Sequence, residues 1–193
     1  MDVCYNGTRL ETVNTVSFLG IDVDRNLNFE SHIEKLRLKL IRSLFAIQRL
    51  KHNVSNKSLR MLYTASFESY LRFGILVWGN KNTSVKIFRF QKKVVRILAG
   101  AGINQTCRPL FKELRVLTLP SLFIYESLVY IHRNTELLQC NTDIHKYNTR
   151  TCENIFVQRS NTSLGRDRPS YLAIKLYNKL PSNLKSLKKV KML

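Results

Sequence analysis

Residues 69–117 read SYLRFGILVWGNKNTSVKIFRFQKKVVRILAGAGINQTCRPLFKELRVL, and their reading decides the fold. They hold the only tryptophan and four of the seven glycines. Over residues 84–99, a helical turn of about 100° per residue puts Ile87, Phe88, Gln91, Val94, Val95 and Leu98 in one arc. Lys86, Arg89, Lys92, Lys93 and Arg96 fall in the opposite arc. No acid on the same stretch neutralises them, and one side can bury while the other faces phosphate. The alternative reading is a solvated basic face with no ligand. Gly100-Ala101-Gly102 stops this helix. The apolar run Phe73 to Gly79 is a buried strand or a continued helix, which periodicity does not decide.

Upstream, Ser31-His32-Ile33-Glu34 reads as a capping box opening a helix to about Lys51. Ile33, Leu36, Leu40, Leu44 and Ile47 form its apolar stripe, and Lys35, Lys39, Arg42 and Arg49 form a second basic ridge about 140° away. A helix from Lys57 to about Phe73 follows, with Leu59, Leu62, Tyr63, Ser66, Phe67, Tyr70 and Leu71 on its core face. Further upstream, Val3–Tyr5 and Thr8–Leu10 flank Asn6-Gly7 as a hairpin, because both central positions of such a turn need positive φ. Thr15–Val23 reads as a third strand. Asp22 and Asp24 point the same way on it, as a cation pair or, before Arg25-Asn26, as turn-forming acids.

Downstream, Pro109 and Pro120 sit where first helical turns tolerate a missing amide, so short helices are expected over 109–116 and 120–133. The second is expected to bury Leu122, Ile124, Tyr125, Leu128, Val129 and Ile131. Residues 139–168 are rich in Asn, Thr, Arg and Ser, and an irregular crossing is expected there. Pro169 opens a last amphipathic piece. The tail carries Lys185, Lys188, Lys189 and Lys191.

Thirty-two Lys and Arg against 13 Asp and Glu give the 193-residue chain a formal charge of +19. Such an excess favours polyanionic partners. The charge is uneven: residues 1–29 are net −2 and residues 30–193 net +21. A boundary near residue 30 follows. The expected fold is mainly α, a helical thumb-like bundle preceded by a short antiparallel β segment. It divides into 1–29, a basic helical domain over 30–134, and an irregular extension over 135–193 with a terminal helix. No run of 18 apolar residues and no basic-then-apolar leader occurs, so an intracellular protein, neither secreted nor membrane-bound, is expected. Cys4, Cys107, Cys140 and Cys152 have neither disulfide-framework nor C-x-x-C spacing. Cys140, His145 and Cys152, with His132, match no usual zinc spacing. Phosphate-loop, metalloprotease and serine-hydrolase motifs are absent from the sequence as well. On its residues alone, the chain reads as a binding element without an active site.

SFLGIDVDRNLNFESHI, SYLRFGILVWGN, FRFQKKVVRILAGAGINQTCRPLFKELRVLTLPSLFIYE, DIHKYNTR and AIKLYNKLPSNLKSL resemble, in order, blocks from the C-terminal region of jockey-type non-LTR retrotransposon reverse transcriptases. The resemblance runs from about Thr15 to Leu187. It implies that Phe18, Leu19 and Gly20 belong to the primer grip of a palm, and that the helices from Ser31 onward belong to a thumb and what lies beyond it. Similar enzymes copy RNA into DNA with divalent metal, Mg, held by palm aspartates. Those motifs are not in this sequence, so a non-catalytic fragment without cofactor is implied. Its partners would be RNA or an RNA/DNA duplex, gripped without sequence preference, and the missing palm and fingers. The two ridges, Lys35, Lys39, Arg42 and Arg49 with Lys86, Arg89, Lys92, Lys93 and Arg96, would carry that grip. The alternative is a decayed or domesticated transposon remnant acting, if at all, as a protein-interaction module.

Overall fold

The computed structural model describes residues 4–9, 11–145, 147 and 149–185. Val3 and Leu10 of the expected first hairpin, and Lys188, Lys189 and Lys191 of the tail, lie outside the described residues. Within them the chain is mainly helical, with a short antiparallel β segment at its N-terminal end, as expected. β1 (Cys4–Tyr5) pairs with β2 (Thr8–Arg9) around Asn6-Gly7, whose φ values are 48° and 76°. β3 (Thr15–Phe18) pairs with β4 (Ile21–Asp24). The expected single strand over Thr15–Val23 is therefore a second hairpin. It reverses at Leu19-Gly20, where φ is 48° and 79°, the left-handed values that a two-residue hairpin loop needs. Glycine adopts that conformation freely; leucine does so at a steric cost.

The helices are α1 (Glu30–Leu50), α2 (Asn56–Leu62), α3 (Ser69–Arg72), α4 (Ile75–Trp78), α5 (Ser84–Leu98), α6 (Cys107–Glu113) and α7 (Leu119–Arg133). After a 3₁₀ turn at Thr135–Leu137 come α8 (Asn141–Ile144), α9 (Ser163–Arg166), α10 (Pro169–Asn178) and α11 (Ser182–Lys185). A π-helical segment, Tyr63–Glu68, joins α2 to α3. The helix expected from Lys57 to Phe73 is thus one rod with a widened middle. Its buried residues, Leu59, Tyr63, Phe67 and Leu71, recur every four positions. That spacing overshoots the α-helical 3.6 per turn, and a wider turn keeps the stripe straight.

The capping box is not used. α1 starts at Glu30 behind Phe29, which is left-handed at φ 59°. Asp24 does the capping from β4: its carboxylate accepts the N–H of Asn26 at 3.1 Å, Asn28 at 3.0 Å and Glu30 at 3.2 Å. Ser31 donates instead to Asp22, and Glu34 pairs with Arg37 at 2.7 Å.

Two compact units emerge, Met1–Gly74 with Lys81–Val116, and Ile75–Asn80 with Leu117–Leu193. They cut the chain elsewhere than the charge step at residue 30 and the compositional change after Asn134. β4 packs on α1, so the acidic hairpin belongs with the basic helices that follow it. In the first unit α1 packs beside the α2–α3 rod and α5. Ile33, Leu36, Leu40 and Ile47 of α1 and Ile87, Val94 and Val95 of α5 are buried. Val95 joins Cys107, Leu110 and Phe111 in a satellite cluster.

In the second unit α7 packs against α10 and α4. The undecided apolar run contributes α4, with Trp78 fully buried. α7 buries Leu119, Leu122, Phe123, Ser127 and Ile131. Ile124 and Tyr125, expected inside, are 42% and 45% exposed. Ile131, Ile155, Ala173, Ile174 and Tyr177 form this unit's cluster. Ile155 is the one buried residue described in the irregular crossing, and the Asn178 side chain brackets it, accepting its N–H at 3.0 Å and donating to its carbonyl at 2.8 Å.

Gly79 closes α4 under close contact. A Cβ there would lie 2.6 Å from the Ile75 carbonyl oxygen and 3.0 Å from Phe123 Cδ2. Gly79→Ala is expected to destabilise the second unit by about 1–3 kcal/mol, the usual cost of overpacking. Urea unfolding followed by Trp78 fluorescence measures it, and an unchanged midpoint would contradict this packing.

Candidate nucleic-acid interface

The cations of α5 face outward because its other side is locked. Ile87, Gln91, Val94 and Val95 are buried, and the Gln91 amide donates to the Tyr63 hydroxyl at 3.1 Å. Burial pushes the Tyr63 pKa up, so that hydroxyl keeps its proton. The apolar arc expected from the sequence is therefore the core side of α5. The cationic arc is the solvent side: Lys86, Arg89 and Lys93 are exposed, and Lys92 and Arg96 are half-buried.

Each of these side chains has its own surroundings. Lys86 lies 3.9 Å from Glu34, a long ion pair between two exposed groups. Lys92 and Lys93 sit over the rings of Phe88 and Phe90 on their own helix, 4.5 Å and 5.4 Å from the centroids. Arg96 Nε donates to the Gln105 carbonyl at 2.9 Å. Arg89 meets no acidic partner among the described residues. The arrangement leaves charge available to an outside anion, since exposed cation–ring contacts contribute only about 0.5–1 kcal/mol and hold the ammonium in water.

The α1 ridge is less uniform. Lys35 is tied to Asp22, 2.9 Å from one carboxylate oxygen and 2.7 Å from the other. Lys39 lies 5.9 Å from the Tyr70 ring centroid. Arg42 and Arg49 are exposed and meet no acid among the described residues. α1 and α5 pack together, and the pair Glu34–Lys86 marks their shared edge. The α1 ridge begins about 60–140° around the helix from Glu34. Each helix presents its own ridge.

Phe18, Leu19 and Gly20 form the tip of the second hairpin. Phe18 is 66% and Leu19 79% exposed, and a Cβ on Gly20 would touch the Phe73 ring at 3.4 Å. Among the described residues no group of three or more His, Cys, Asp or Glu is placed to hold a metal ion. No described helix is long and apolar enough to cross a membrane. Sequence reasoning missed that Asp22, at 4% exposure, removes Lys35 from the free ridge. The signal was the serine and lysine one turn apart on α1, facing an acidic strand.

No family model, curated protein or solved structure matches the chain.

The hairpin–α1 junction is sensitive to acid. Lys35, then its charge and the Ser31 and Ser17 hydroxyls, hold the Asp22 pKa below the usual carboxylate range against the opposing effect of burial. Burial would raise that of Asp24, and the N–H groups of Asn28, Glu30, Phe29 and Asn26 outweigh it, so it too is lowered. Burial lowers that of His32. In all three the folded state binds protons less readily than the unfolded chain. Stability is therefore full above the unfolded values, about 6.5 for histidine and about 3.9 for aspartate, and is lost as pH falls through the folded ones. Urea midpoints by far-UV circular dichroism are expected to fall below pH ~6.5 and steeply below pH ~4. Asp22→Asn should lower the midpoint at neutral pH and flatten the acidic limb; an equally steep limb would remove Asp22 from the account.

Proposed function

We propose that the chain is the thumb-side, C-terminal part of a jockey-type reverse transcriptase, gripping RNA or an RNA/DNA duplex by its phosphates without sequence preference. The reading is supported by one observation above all: α5 exposes a row of cations, carries no acid, and among the described residues is paired with a single carboxylate, at 3.9 Å. Phosphate contacts of this kind position a duplex and read no bases. No catalytic step is assigned to these residues. In this reading metal chemistry belongs to the palm aspartates of the parent enzyme, whose palm and fingers are the protein partners, and the setting is the nucleus or cytoplasm. Lys86, Arg89, Lys92, Lys93 and Arg96 carry the main contact, with Lys39, Arg42 and Arg49 as a second ridge. Lys35 serves the fold first.

A protein-interaction module is the second reading. It is favoured by the apolar hairpin tip, where Val16, Phe18, Leu19 and Phe73 are all more than half exposed.

Affinity for an RNA/DNA duplex across a salt series separates the two. Each phosphate contact contributes roughly 0.7–0.9 to the slope of log affinity against log salt, so the triple change K86E, R89E and K93E should reduce it by about 2–3. An unchanged slope and affinity would remove α5 from nucleic-acid binding.

A further inference from the structure

The second unit has a charge excess of its own, 12 Lys and Arg against five Asp and Glu over residues 75–80 and 117–193. Beside the start of α10 it opens a cleft of about 450 Å³, lined by Gln139, Phe156, Gln158, Arg168, Ser170 and Tyr171 over an aliphatic floor that includes Ile174. That volume is in the range of small-ligand sites. No acid lines it.

The walls are built rather than incidental. Cys140 and Ile155 form an antiparallel bridge, and the Phe156 N–H donates to the Gln139 carbonyl at 2.9 Å. With Ile155 also bracketed by Asn178, Ile155 and Phe156 are fixed at one edge of the cleft. Pro169 starts α10 and sets Ser170 and Tyr171 on its first turn. The Arg168 Nε donates to the Gly165 carbonyl at 3.1 Å, which holds the guanidinium at the rim. Lys175, one turn on, lies 4.5 Å from the Tyr171 ring centroid.

Aromatic rings, side-chain amides, a hydroxyl and a rim arginine form the donor set that unpaired bases use. Rings stack on a base, amides meet its polar edge, and arginine meets the phosphate. The exposed face of α5 differs: it offers a row of cations, Lys86, Arg89 and Lys93, and suits a duplex backbone. We propose that the cleft beside α10 takes an unpaired nucleotide of single-stranded RNA or DNA, its base stacked on Tyr171 and its phosphate at Arg168. The assignment rests on the nucleic-acid reading above for its class of ligand, and adds a second site on a different unit.

Fluorescence anisotropy of the full chain with a short labelled oligouridylate, and separately with a blunt RNA/DNA duplex, tests it at one fixed salt concentration. Tyr171→Ala is expected to weaken oligouridylate binding by about 5- to 100-fold, the loss of one stacked base, and duplex binding less than about 2-fold. Tyr171→Phe keeps the ring and should bind like the unaltered chain. Arg168→Glu, at an exposed position, should weaken oligouridylate binding without altering the circular dichroism spectrum, which covers the case in which Tyr171→Ala unfolds. Unchanged oligouridylate affinity in Arg168→Glu and in a folded Tyr171→Ala would overturn the proposal, as would equal losses on both ligands. The α5 triple variant separates the two readings. If it keeps its duplex affinity, the α5 interface fails while the Tyr171 and Arg168 comparison still decides the cleft.

Discussion

The hydrogen bond from Gln91 to Tyr63 sets the rotation of α5 about its axis. Both residues are fully buried, and the contact spans 28 residues of chain. An amide in a core needs its partner, because an unpaired one costs about 1–3 kcal/mol. The helix is therefore held with Gln91 toward the rod. Once that is fixed, the residues two positions either side of it, Arg89 and Lys93, can only face solvent. Elsewhere on the helix the apolar contacts of Ile87 and Val94 would tolerate a small roll; the polar contact would not.

The scarcity of acids makes their placement informative. Among the described ion pairs, Asp22 holds Lys35, Glu34 holds Arg37 and Glu68 holds Arg72. All of these lie on the hairpin, α1 and the rod. Asp24 is occupied by backbone amides. These acids of the first unit thus shape helix starts and junctions, and α5 is met only by the long Glu34–Lys86 pair among the described residues. A charge excess that would loosen a compact state is concentrated on exposed helix faces, where water screens it.

What could be read from the sequence follows from how strong each periodicity is. α1 and α5 alternate clear apolar and basic positions, and their buried faces agree with the helical spacing. α7 does not: FIYESLVYI is apolar almost all round, so spacing alone cannot select Phe123 and Ser127 over Ile124 and Tyr125. Packing against α4 and α10 makes that choice. The Leu19-Gly20 reversal was hidden because its first residue is leucine, whereas Asn-Gly at residues 6 and 7 announces itself. The start of α1 was misread for a related reason. Its cap comes from Asp24, six residues before the first helical amide it holds, and a local four-residue pattern does not look that far. Of the candidate interface, the cationic arc of α5 was legible; the withdrawal of Lys35 to Asp22 depended on a hairpin that the sequence did not disclose.

The hairpin–helix junction also differs from the rest of its unit in how much chain it closes. Asp22 and Lys35 are 13 residues apart, whereas the contact of the Thr83 hydroxyl with the Asn28 carbonyl spans 55. Closing the longer loop costs about 1.3 kcal/mol more in chain entropy. The Asp22–Lys35 junction therefore ties the acidic hairpin to α1 with less chain closed than the contact that ties the start of α5 to the loop before α1.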